Sequence, residues 1–378
     1  MAKVIIDAKI ATGETVIEDG YIRFTDKILD VGPMAEFQNK ESDEVISGRG
    51  KVIVPGFIEV HCHGGYGIDT MDADPEKINE MVHKISYHEG VTSFFPTTIT
   101  QSVENIENAL KGVKEASKSN KVIQGINMEG PFLDVEKKGA QPEKYIIDPN
   151  INLLKEWDEV SGHMIRVITY APEKPGAREL EDYCIAHNIV PSIGHTKATR
   201  EECKQAKGSH ITHLYQMMTS VVHREPGVVG HAFLEDNIYC EMIMDGFHNC
   251  PDSLEIAYRA IGPHRMELVT DAMRKKGMGD GVSELGGQRV TVKGIQARLD
   301  DGTIAGSVLP YNVAFENCMK FTDAGLPEAV LMSSVNAAKE FCLTTKGGLQ
   351  EGKDADINVL DNNYKLEQTY SYGELVKE

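Results

Sequence analysis

Acid and imidazole side chains stand at the ends of short apolar runs along this sequence, and that placement narrows its fold more than any other feature. His61 and His63 lie in IEVHCHGG, Glu129 in INMEGPF, His195 in VPSIGHT, His213 in ITHLY and Asp271 in LVTDAM. Each preceding run of Val, Ile, Leu or Met has the length and character of a buried parallel strand. Ligand-type residues at several strand ends are what an active site on a (β/α)8 barrel requires.

The 378 residues suffice for one barrel of about 250 residues and a smaller unit. Residues 1–54 read as short strands separated by Gly and Asp turns. Eight strand-like runs follow: VIVPGFIEVH, VTSFFPTT, VIQGINMEG, MIRVITYAPE, IVPSIGHT, HITHLY, YCEMIMDG and ELVTDAM. Helical patterns such as PEKINEMVHKISYHEG and SVENIENALKGVKEASKS lie between them, and strand–helix alternation predicts parallel βαβ units. The GG, KG and DG steps of ELGGQRVTVKGIQARLDDGTIAGS predict a hairpin insertion near 282–305. The tail returns to strand character. The expected organisation is a (β/α)8 barrel over 55–343 and a small β-sandwich built from residues 1–54 and 344–378.

A formal charge of −19 argues against nucleic acid and anionic membranes as partners. No apolar run is long enough to span a bilayer, and MAKVIIDAKI lacks the pattern of a secretory signal, so the cytoplasm is the expected location. The seven cysteines form no CxxC pair and read as buried packing residues or free thiols. Cys62, between two histidines on a strand, points to the opposite face from both.

That same alternation puts His61 and His63 on one face, aimed at one ion. A Glu before Gly-Pro, such as Glu129, needs a partner if buried; as a carboxylate it can bridge two metals. His195 and His213 would each read as a core histidine if found alone, but their repetition at successive strand ends favours metal. Asp271 can act as an N-cap or move a proton between water and a leaving amine, and the second role is preferred. Arg224, in HREPG, can clamp a phosphate. His83, His88, His163, His187, His210, His231 and His264 are read as structural.

The motifs PGFIEVHCHGG, EGPFL, KKGAQ, GHTKAT, THLY, HREPGVVG, MDGFH, VTDAM, ARLDDGTIAGS and GKDADINVLD, in this order, resemble the N-acetylglucosamine-6-phosphate deacetylases of the amidohydrolase superfamily nearly end to end. The resemblance implies a metal-dependent barrel that cleaves the acetamide of an N-acetyl amino-sugar 6-phosphate. It implies Glu129, His195 and His213 as ligands of a principal metal, His61 and His63 as ligands of a second, and Asp271 as general base. One or two divalent ions are expected, zinc first, with iron, manganese or cobalt as alternatives. His248 matches a substrate contact, and Arg224 matches a phosphate contact supplied across a homodimer interface.

Three positions depart from the family pattern. Gln141 stands where many members have a His that polarises the substrate carbonyl, and Gln carries no charge. Gln216 and Met217 replace Asn-Ala at a substrate-contacting segment. VLPYNV follows AGS where Thr-Met is usual, although Ser307 is kept. The competing readings are a deacetylase for the galactosamine epimer, another amidohydrolase, and an inactive binding protein on the same fold.

Overall fold

In the computed structural model, which describes all 378 residues, the eight apolar runs form one sheet of eight strands, paired in parallel between sequence neighbours. The strands are Phe57–Cys62, Val91–Thr98, Ile126–Glu129, Ile165–Tyr170, Val190–Ile193, His210–Ile211, Tyr239–Ile243 and Met266–Val269. Just beyond the eighth strand the chain returns to the first. The Asp271 N–H donates to the His61 carbonyl at 2.8 Å, and the His63 N–H donates to the Ala272 carbonyl at 2.9 Å. These bonds bring the two ends of the strand order together, so the sheet is a nearly closed barrel. They also seat Asp271 against the two histidines.

Local signals explain the surrounding helices. The helix Pro75–Glu89 starts where Asp74 accepts hydrogen bonds from the Glu76 and Lys77 N–H groups, has Pro at its first position, and stops at Gly90 with φ +79°. Each is a favoured terminal device. Ile78, Met81, Val82 and Ile85 bury one stripe against the barrel, as a 3.6-residue period demands.

Sequence expected VIVPGFIEVH to be a single barrel strand. The chain instead divides it at Gly56. Val52–Pro55 pairs antiparallel with Ile357–Leu360 and parallel with Lys9 and Ile10 of the first strand, while Phe57–Cys62 enters the barrel. A Cβ at Gly56 would lie 2.1 Å from Thr92 Oγ1, so the crossing point has no room for a side chain.

The terminal sheet holds eight strands, five from residues 1–55 and three from the tail. It is one continuous hydrogen-bonded sheet rather than two. Val16–Phe24 and Leu366–Ser371 are separated by three strands, which in a flat sheet would be about 19 Å. Yet the rings of Phe24 and Tyr370 are 5.2 Å apart. The sheet therefore curls into a sandwich around its own core, which includes Ile10, Ile22, Phe24, Ile53, Ile357 and Tyr370. A separate three-stranded antiparallel sheet, Gly281–Leu285, Gln288–Lys293 and Gln296–Leu299, corresponds to the GG and KG turn signals and roofs one side of the barrel mouth.

Beneath the HCHGG loop Lys276 is fully buried, with Nζ 2.9 Å from Glu89 Oε1 and 3.7 Å from Cys62 Sγ. Glu89 also accepts from Tyr66 OH and the Tyr311 N–H. Removing one member of a buried pair strands the other charge. Lys276→Met is therefore expected to lower unfolding stability by about 3–5 kcal/mol, read as a shift of the denaturant midpoint at unchanged slope. No helix is long and apolar enough to cross a membrane.

Candidate active site

Three of the strand-end residues, and Met217 in the loop after His213, come from backbone that is unusual for side-chain-bearing residues. His195, His213 and Asp271 have φ of +47°, +30° and +47°, and Met217 has +49°. Such left-handed positions cost about 1–3 kcal/mol each and cluster where surrounding structure needs a side chain re-aimed. Here the three ligand-type residues turn inward immediately past their strands.

The side chains meet at one point. Glu129 Oε1 lies 3.0 Å from His195 Nε2 and 2.9 Å from His213 Nε2, and the two imidazole nitrogens are 3.1 Å apart. For a tetrahedral ion with bonds of about 2.0–2.1 Å, ligand atoms are separated by roughly 3.3 Å, so this triangle has the dimensions of one face of a metal shell. Two neutral imidazoles facing each other can share only one proton, which further suits a cation. Glu129 Oε2 points the other way, 3.1 Å from His63 Nε2. His61 Nε2 is buried with no hydrogen-bond partner, 3.8 Å from Glu129 Oε1 and 3.6 Å from Asp271 Oδ1. His61, His63 and Glu129 thus form a second, looser group that shares Glu129 with the first. The donor set fits one or two divalent ions of the zinc type.

Electrostatics follow from this packing. Burial pushes the Glu129 carboxyl up, but hydrogen bonds from His195, His213 and His63 outweigh it and hold the group well below the ordinary carboxylate range. Burial likewise raises Asp271, and the hydrogen bond from His63 with the charge of His61 overcomes it and leaves the group low. Asp271 is ionised and able to accept a proton. Burial lowers His61, but the Glu241 carboxylate raises it more, to about 9.

A cavity of about 310 Å³ opens over these groups and is lined by His63, Glu129, His195, His213 and Asp271. Gln141, Gln216, Met217 and His248 also line it, with Leu285, Thr303 and Ile304 contributed by the hairpin sheet and the segment after it. Gln141 donates from Nε2 to Glu129 Oε2 at 2.6 Å and accepts the Thr100 N–H at Oε1, so this side chain is already tied to the ligand set. His248 Nδ1 is held by Asp245 at 2.6 Å, which turns its Nε2 outward. Gln216 donates to Asn249 Oδ1 at 2.9 Å.

Three sequence candidates lie off the cavity: His61, fully buried behind the ligand set, Ser307 and Arg224. Ser307 is buried below it, where its N–H donates to the Asp271 carbonyl and its hydroxyl to the Thr270 carbonyl. Arg224 is exposed on the loop after His213 and does not line the cavity of its own chain. Tyr311 of the divergent VLPYNV is fully buried, its hydroxyl within 3.1 Å of the Ile58, Leu268 and Ser333 carbonyls; it braces the barrel seam, away from the pocket.

Sequence reasoning missed Glu241 and set His210 aside as structural. Both are buried, in contact with each other and, through Glu241, with His61. The available signal was a carboxylate inside an apolar strand, the Glu of YCEMI.

Barrel, strand-end ligands and cavity together define a hydrolase-type barrel with a candidate binuclear metal centre. Comparison with known proteins narrows this class. The sequence profile described as the amidohydrolase family matches residues 52–376. A Bacillus subtilis (strain 168) protein named N-acetylglucosamine-6-phosphate deacetylase is 37% identical, over 98% of this chain and 96% of its own. An Escherichia coli O157:H7 protein named N-acetylgalactosamine-6-phosphate deacetylase is 30% identical over 99% of both. Among solved structures, a mutant N-acetyl-D-glucosamine-6-phosphate deacetylase from Mycobacterium smegmatis, in complex with N-acetyl-D-glucosamine-6-phosphate, superposes with a TM-score of 0.93 at 27% identity over the whole of both chains. The chain belongs to the amidohydrolase family, on the branch that holds the N-acetylglucosamine-6-phosphate deacetylases.

Proposed function

We propose that this protein hydrolyses the acetamide of N-acetyl-D-glucosamine 6-phosphate, giving D-glucosamine 6-phosphate and acetate. The observation that carries the reading is the meeting of Glu129, His195 and His213 within 3.1 Å of one another, beside an ionised Asp271, in a cavity of sugar size. The relative at 37% identity bears the glucosamine name and the galactosamine relative stands at 30%, which supports the glucosamine epimer.

Glu129, His195 and His213 would hold the principal ion, with His61 and His63 completing a second site that shares Glu129. An ion held there supplies acidity to water and polarises a carbonyl oxygen. Asp271 accepts the proton from the attacking water at its Oδ atoms and returns it to the sugar nitrogen as the C–N bond breaks. His248, with Nδ1 fixed by Asp245, presents Nε2 to a substrate oxygen. Gln216 and Met217 shape the wall where the family has smaller residues. Zinc is the first choice of metal.

The phosphate would be held by Arg224 of a second copy in a homodimer. Its exposure, away from its own cavity, supports delivery to a neighbour. Loss of a charge-assisted hydrogen bond is worth about 1.5–3 kcal/mol. Arg224→Ala is thus expected to raise KM for the phosphorylated sugar by ~10–100-fold with little change in kcat, and to leave the rate on the unphosphorylated sugar unchanged. All seven cysteines are unpaired, which suits a reducing cytoplasm.

Side-by-side initial rates of acetate release from the glucosamine phosphate, the galactosamine phosphate and unphosphorylated N-acetylglucosamine test this reading. The glucosamine phosphate should be fastest. A faster galactosamine phosphate would reassign the epimer, and no release from any of the three would overturn the reading.

A further inference from the structure

The four imidazoles of the candidate metal centre, His61, His63, His195 and His213, differ in how their outward nitrogens are held. His195 Nδ1 lies 2.8 Å from the Lys137 carbonyl. His63 Nδ1 and His213 Nδ1 are buried without a partner. Only His61 is backed by a carboxylate, with Nδ1 2.7 Å from Glu241 Oε2. That same oxygen accepts the His213 N–H at 2.8 Å, at the residue whose φ is +30°. The second oxygen, Oε1, lies 3.2 Å from His210 Nε2, and His210 Nδ1 lies 2.9 Å from Glu340 Oε2. Glu241 is fully buried on the seventh barrel strand, next but one to the first across the seam.

We infer that Glu241 is the positioning residue that joins the two halves of the metal centre: it fixes His61 with Nε2 facing the ions and, through one oxygen, holds the strained backbone of His213. This deepens the metal-centre reading above and rests on it. An acceptor at Nδ1 forces the imidazole proton onto that atom and leaves Nε2 as the free donor pair. It also makes the ring a stronger base, as carboxylates behind ligating histidines do. Because one oxygen serves both His61 and the His213 backbone, displacement of Glu241 disturbs both sites at once. One step further out stands His210, held at Nδ1 by Glu340, with its Nε2 close to the other oxygen but not hydrogen-bonded to it.

Glu241→Gln keeps the shape and removes the charge. The amide offers one acceptor oxygen where the carboxylate offers two. The outer partners of metal-binding histidines are typically worth 10–100-fold in metal affinity. The test is a Co(II) titration of metal-free protein, parent against Glu241→Gln, following the visible absorption of the bound ion and competition with a chelator. The expected result is an affinity ~10–100-fold weaker, an altered absorption band, and a lower kcat with KM nearly unchanged. A purely structural role would lower the unfolding midpoint of the metal-free protein and leave the band in place. In a His61→Asn background the part of the kcat effect that runs through His61 should disappear, and only the part that acts through the His213 backbone should remain. If Glu241→Gln does not fold, Glu241→Asp, which keeps the charge but withdraws the oxygen from His61 and the His213 N–H, should give the same changes.

A parent that binds Co(II) and a variant with the same affinity and band would overturn the role given to Glu241 alone. A parent that binds no Co(II) would overturn the metal-centre reading with it.

Discussion

Replacing Asp271 by Asn is expected to lower kcat by ~10²–10⁴-fold, the range associated with a positioned general base, while KM and metal content stay close to the parent values. The substitution keeps volume and the seam hydrogen bond, since the bond to the His61 carbonyl is made by the backbone N–H. It removes the only property that the proposed step needs, a lone pair basic enough to take a proton. Asp271 Oδ1 lies 3.3 Å from His63 Nε2 and 3.6 Å from His61 Nε2, so it overlooks the second metal position. His248, its ring held by Asp245, is the one titratable group on the cavity wall besides Asp271 and the ligand set. A drop of less than about tenfold in Asp271→Asn, with a large drop in His248→Asn, would move the base to His248.

The second large effect concerns the HCH pair. Gln141 lines the cavity beside the ligand set. Its amide already donates to Glu129 Oε2 and carries no charge. In the proposed mechanism polarisation falls to an ion held by His61 and His63. His63→Asn removes a ligand atom 3.1 Å from Glu129 Oε2 and should empty that site while leaving Glu129 Oε1, His195 and His213 in place. Lewis-acid polarisation is worth several kcal/mol, and each 1.36 kcal/mol is a factor of ten in rate. Turnover should fall by ~10²–10³-fold or more, with one metal equivalent lost per chain. Full activity with one metal missing would show that Gln141 or the principal ion alone suffices.

Much of this architecture could be read from the chain because a buried parallel strand leaves a strong mark. All eight apolar runs proposed as barrel strands contain one, and the residues capping them converge because strand ends in a barrel share one face. The division at Gly56 was only partly legible: the expected boundary after residue 54 falls beside it, but the run across it read as one strand. VIVPGFIEVH is apolar throughout, and only the tertiary approach of Thr92 reveals that the run serves two sheets. Curling of the terminal sheet depends likewise on long-range pairing between residues 3–55 and 357–375. In the site, ligand candidates were visible as breaks in hydrophobicity. Their supports were not: Glu241 sits inside its strand, and burial of a carboxylate is set by what the opposite strand places against it. Ser307 and Arg224 show the reverse problem, since motif position gives no direction for a side chain. One lies under the cavity floor and the other faces away from it.

The most direct measurement is acetate release from N-acetylglucosamine 6-phosphate by metal-free protein reconstituted stepwise with zinc, with bound metal counted on each sample. The account predicts no release without metal, recovery that follows metal uptake, and full activity when both the Glu129–His195–His213 and His61–His63 positions are filled. Release that is independent of metal, or protein that takes up zinc to full occupancy and stays inactive on this sugar, would contradict it.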